Sequence, residues 1–185
     1  SEADRGQHAH AVAMAYMKRF HQMIKAATPK AGVYCNSRPL YNLAEEIKYL
    51  EQVEIEALAT GGWGYMYFPV NVRFARTFGK PYMGMTAKFH KSWADFGGIK
   101  PKAALEYETL QCLAHGARCS IGDQLHPRGV LDRATYDLIG GVYEQVERIE
   151  PYVDGSVPMT QIGVFPVFPT TSQAVTGNTD GVVRI

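Results

Sequence analysis

Apolar side chains recur at helical spacing over residues 4–27, where Val12, Tyr16, Phe20 and Ile24 form one stripe and Thr28-Pro29 ends the run. That spacing predicts an amphipathic helix. Residues 32–37 switch to a short apolar run closing on polar positions, the pattern of a buried strand. Residues 43–52 are mixed, with room for a helical turn, and lead into Val53-Glu54-Ile55-Glu56-Ala57-Leu58. Here apolar and acidic positions alternate, so Val53, Ile55 and Ala57 share one face of a strand and Glu54, Glu56 and Leu58 the other. A glycine-rich turn, Gly61-Gly62-Trp63-Gly64, follows at once.

The alternation of patterns continues. Residues 70–78 read as helical, with Gly79 suited to the C-terminal cap. Residues 81–86 read as a strand that discharges into a polar, aromatic loop over 88–98. Pro101 opens a helix running to about His115, with Gly116 as its stop. A fourth strand over 117–122 precedes the loop at 123–129. Asp132 then suits the N-cap of a helix with Tyr136, Ile139, Tyr143, Val146 and Ile149 on one stripe, ending at Pro151.

Four strands alternating with helices predict an α/β protein with parallel strands, in a doubly wound sheet or a (β/α)8 TIM barrel. Each strand's C-terminal end opens into a polar or aromatic loop, which favours the barrel. Eight strands take about 250 residues, so four strands correspond to the second half of one, over residues 1–155. The character changes after Tyr152, and residues 161–168 have the pattern of a further sheet. A second α/β domain is therefore expected to begin at 156–185.

Composition narrows the partners. With 46% hydrophobic and 20% charged residues the chain has the make-up of a folded domain, or of part of a larger one. The formal net charge of +1 leaves no surplus to draw nucleic acid or an anionic membrane. No apolar run approaches the roughly 20 residues of a membrane span, and the opening residues lack a signal-peptide core. Three cysteines do not suggest a disulfide framework, so a reducing, cytoplasmic compartment is expected.

The candidate chemistry sits at the strand ends. A strand with an apolar outer face and Glu54 and Glu56 on its inner face is suited to delivering acids to carbohydrate cleavage. Two acids on one strand line a single wall, whereas glycoside hydrolysis flanks the scissile bond with two carboxyls, so a partner has to come from another strand. Glu56, nearer the C-terminal end, is better placed than Glu54. The plainer alternative is an edge strand with solvated acids. Trp63 and Trp93 offer apolar platforms for a sugar face, with His90, Lys91 and Asp95 as polar neighbours; the alternative is that the aromatics pin a long loop. Asp123, Gln124 and His126 follow another strand end, and a barrel makes the three loops converge. A zinc reading of Cys112, His115 and Cys119 needs a fourth ligand and a distorted connection, so no metal is expected. Phosphate-loop, dinucleotide and serine-elbow motifs are absent from the sequence.

Taken together, V-E-I-E-A-L, G-G-W-G-Y, G-K-P-Y-M-G-M-T-A-K-F-H-K-S-W-A-D-F-G-G, A-L-E-Y-E and G-D-Q-L-H-P-R-G-x-L-D resemble the barrel of α-L-fucosidase-like glycoside hydrolases, family 151. The likeness runs over nearly all of residues 4–152. It implies a retaining hydrolase that needs no cofactor and acts on a terminal sugar, and a (β/α)8 domain followed by a β-galactosidase-type trimerisation domain. A homo-oligomer, as a trimer, is implied with it. The first strand here would be the fifth of the barrel and residues 53–58 the sixth. Glu56, or else Glu54, would then be the acid/base, with the nucleophile on a strand preceding Ser1. On that reading the chain alone is an inactive fragment prone to associate. The alternatives are a non-catalytic carbohydrate-binding barrel and a β-galactosidase. The second loses ground because Met85-Thr86-Ala87-Lys88 offers no glutamate at the seventh strand's end.

Overall fold

The computed structural model describes residues 2–38 and 40–163. Strands β1 (Val53–Glu56), β2 (Tyr82–Ala87) and β3 (Arg118–Gly122) form one parallel sheet in the order β1-β2-β3. Helices α1 (Glu2–Ala27) and α2 (Leu40–Glu46) precede the sheet, α3 (Tyr67–Ala75) connects β1 to β2, α4 (Lys102–Ala114) connects β2 to β3, and α5 (Arg133–Val153) follows. Parallel neighbours require such crossovers, and a helix is the usual way to make one.

The alternation in β1 works as its pattern predicts. Val53, Ile55 and Ala57 are buried with Phe68, Val72 and Ala75, so this face packs on α3 and carries the main core. Glu54 and Glu56 lie on the opposite face. The register sets Glu54 level with Met83 and Arg118, and Glu56 level with Met85 and Ser120. The caps also follow sequence: Gly79 and Gly116 are left-handed, with φ of 64° and 69°. Asp132 caps α5 by accepting from the Thr135 backbone N–H (2.9 Å) and hydroxyl (2.7 Å), bonds that hold its carboxyl below the usual carboxylate range.

Four expectations are corrected. Residues 32–37 form no strand, so among the described residues three strands stand where four are expected. Locally, the Val33 N–H donates to the Glu51 carboxylate (2.5 Å) where a ladder would need a backbone carbonyl, while the Val33 carbonyl accepts from the Glu51 N–H (2.9 Å) as a single isolated backbone bond. Helix α1 exists, but its predicted stripe is not its buried side. Val12, Tyr16 and Phe20 are exposed, whereas Met17 is buried, and His10 and His21 bond Glu45 and the Tyr49 carbonyl, both at 3.0 Å. In α5 the fully buried positions are Thr135 and Val142, while Tyr136 and Ile149 at the ends of the expected stripe are exposed. That helix also runs through Pro151 to Val153, since a proline in the last turn forfeits a single intrahelical bond.

No helix among the described residues is long and apolar enough to cross a membrane. Residues 156–160 carry no regular structure. The second domain expected over 156–185 falls largely outside the described residues.

Candidate functional site

The inner face of the sheet at its C-terminal end gathers the candidate residues. Glu56 ends β1, and donors reach its carboxyl from two sides. Oε2 accepts from the Ser37 hydroxyl and from Asn36 Nδ2 (3.2 Å), and Oε1 accepts from the Trp93 indole N–H (2.9 Å). Ser37 adopts the left-handed region, φ 53°, which non-glycine residues seldom occupy. This backbone arrangement turns the hydroxyl onto Glu56.

Glu54 lies two residues earlier on the same face and is equally buried, at 7% exposure against 9% for Glu56. Burial, reinforced by the neighbouring Glu56 charge, pushes its carboxyl above the usual range. Among the described residues neither acid has a lysine or arginine in ion-pair contact. Burial and then the Glu56 charge also raise the Tyr67 hydroxyl.

Trp93 reaches Glu56 from loop 88–98. Its ring meets Phe89 edge-on, with centroids 4.8 Å apart, and lies on Gly122, where a Cβ would stand 2.5 Å from the indole Cη2. Glycine there is a requirement of close approach. Gln124 holds the loop from β3's end, donating to the carbonyls of Trp93 (3.0 Å) and Asp95 (3.4 Å). Asp95 accepts from the Lys91 N–H (3.2 Å), and the His90 carbonyl accepts from the Thr60 hydroxyl.

The expected residues thus divide. Glu56, Trp93, Asp95 and Gln124 are joined through hydrogen bonds, and Lys91 and His90 enter through their backbone groups. Trp63 packs against Leu58, Ala87 and Phe89, which makes it part of the wall. Asp123 lies 3.8 Å from the buried Lys88 ammonium. The His126 ring accepts from the Arg128 N–H (3.2 Å), a contact within its own turn. Asn36 and Ser37 are site residues that the sequence did not single out; the polar close of the run at 32–37 was the available signal for both. No group of three or more His, Cys, Asp or Glu among the described residues could hold a metal ion.

The arrangement suits exchange of a proton with a group bound at the strand ends. It offers a carboxyl fixed at the end of a parallel strand, a second acid one row deeper, and aromatic walls. No family model matches the chain, and neither does any curated protein. Among solved structures, 77% of the chain is similar to α-L-fucosidase isoenzyme 2 from Paenibacillus thiaminolyticus, at 45% identity and a TM-score of 0.72, and the chain spans 22% of the length of that protein.

Proposed function

We propose that this chain forms part of the (β/α)8 wall of a longer glycoside hydrolase of the α-L-fucosidase type, with Glu56 as its acid/base. The observation that carries the reading is the 45% identity, at a TM-score of 0.72, to an α-L-fucosidase. Two features of the site support it. Parallel barrels keep their chemistry at the C-terminal ends of their strands, where Glu56 stands. Glu54, held toward its neutral form, limits the negative charge beside Glu56.

In a retaining mechanism Glu56 would protonate the departing glycosidic oxygen as a carboxylate attacks the anomeric carbon from the opposite side, then take a proton from the water that releases the sugar. Glu54 lies on the same wall as Glu56, so it cannot be that nucleophile. The nucleophile belongs to a strand of the longer protein.

The test is Glu56→Gln in the longer protein, assayed with α-L-fucosides. Turnover with poor leaving groups is expected to fall about 10²–10⁴-fold, less with an activated aryl leaving group, and to recover in part with azide. Near-normal turnover in the variant overturns the assignment. Fucose binding without any turnover in the unsubstituted protein identifies a binding barrel instead.

A further inference from the structure

We propose that Trp93 is a positioning residue for Glu56, fixing its carboxyl through the indole N–H, and that this is how loop 88–98 acts on the reaction. The proposal rests on the reading of Glu56 given above. It gives Trp93 a role distinct from that of a stacking platform for the sugar.

The geometry is specific. An indole has one donor and no acceptor, and that donor is committed to Glu56 Oε1 at 2.9 Å. The ring lies on Gly122 at the end of β3, while Glu56 ends β1, so Trp93 reaches across the central strand to make its bond. Adjacent strands lie about 4.8 Å apart, so the reach from β3 to β1 is two spacings, about 10 Å, which an indole and a glutamate side chain together bridge. One face of the ring is covered by Gly122, and Phe89 abuts it edge-on. Gln124 pins the Trp93 backbone from β3's end.

Glu56 is therefore clamped between two supports of different origin. Asn36 and Ser37 hold Oε2 from the segment before β1, and Trp93 holds Oε1 from the loop after β2. With the indole bond removed, Oε1 can swing away from the position where it would meet a leaving oxygen. A stacking platform would act differently, because its loss weakens sugar binding in the ground state as well as in the transition state.

Two measurements test the assignment. In the longer enzyme, Trp93→Phe keeps an aromatic ring over Gly122 and removes only the donor; kcat is expected to fall about 10–100-fold, the cost typical of leaving a buried acceptor unpaired, with KM nearly unchanged. A raised KM with kcat kept, or no change in either, overturns the proposal. In the longer enzyme labelled with 15N-tryptophan, the indole N–H signals of Trp63 and Trp93 are assigned in a 1H–15N spectrum by substituting each with Phe. Glu56→Gln should move the Trp93 signal and leave that of Trp63 in place; an unmoved Trp93 signal also overturns the proposal. If the signal moves but Glu56→Gln retains turnover, the glycosidase reading of Glu56 is what fails.

Discussion

The two faces of the sheet bury charge in opposite ways. On the helix-facing side, Lys100 donates to Glu108 (2.5 Å) and to the Thr86 hydroxyl (2.8 Å), and Thr86 in turn donates to Glu108; the lysine side chain is wholly buried. Each charge there has its opposite. On the inner face, Glu54 and Glu56 are buried side by side with no cation in ion-pair contact among the described residues, and the donors that reach Glu56 are neutral. A buried pair of unlike charges is a structural solution, whereas adjacent like charges raise the energy of the folded state and persist where chemistry needs them. The contrast separates what holds this sheet together from what it presents.

The largest effect on stability is expected at the paired face. Lys100→Met strands the Glu108 carboxylate without a cation, and one Glu108 oxygen already lacks a partner. The loss should be about 3–5 kcal/mol, read from urea or thermal unfolding. Adding Glu108→Leu should recover much of it, because the penalty is that of an unpaired charge. If Lys100→Met unfolds no more easily than the unsubstituted chain, the two faces do not differ as stated.

A smaller effect is expected from Gly84, on the same face of β2. A Cβ there would stand 2.5 Å from Cys112 Sγ and 2.6 Å from Phe68 Cε2, with α3 and α4 closing in on the strand. Gly84→Ala should destabilise by about 1–3 kcal/mol through overpacking. Conservative changes on the inner face should shift unfolding less and activity more. Equal stability losses on both faces would erase the distinction.

Much of this was legible in the sequence and some was not, for identifiable reasons. The period-two pattern in β1 separated Val53 and Ile55 from Glu54 and Glu56 because one face had a core to join. The strand expected at 32–37 failed because an acidic side chain from Glu51 intercepted the Val33 N–H, an event no periodicity reports. In α1 the spacing identified a stripe, but which side packs was decided by Met17, His10 and His21 meeting residues 43–50. Trp93 was singled out as a candidate, yet sequence cannot say whether an indole uses its face or its N–H, since its partner lies 37 positions away. The Lys100–Glu108 pair was not legible because Lys100 stands before α4 and meets Glu108 only once the fold closes over both.

The smallest expected effect is also the most direct probe of the inner face. Burial and the Glu56 charge raise the folded-state pKa of Glu54 above its unfolded value of about 4.3. The folded state then binds the Glu54 proton more tightly than the unfolded state does. This contribution to stability is fully present below the unfolded pKa and is lost as pH rises through the folded one. Glu54→Gln should therefore melt at a higher temperature than the unsubstituted chain at neutral pH, and the difference should close as pH falls through that window. Melting curves of both proteins at matched pH values provide the check, because carboxylates that do not face Glu54 contribute equally to the two and cancel, which leaves the Glu54–Glu56 pair. A lower melting temperature for Glu54→Gln at neutral pH would mean that Glu54 has a stabilising partner as Glu108 does. The inner face would then be a second structural pair, and Glu56 would lose the like-charge neighbour on which its contrast with Glu108 depends.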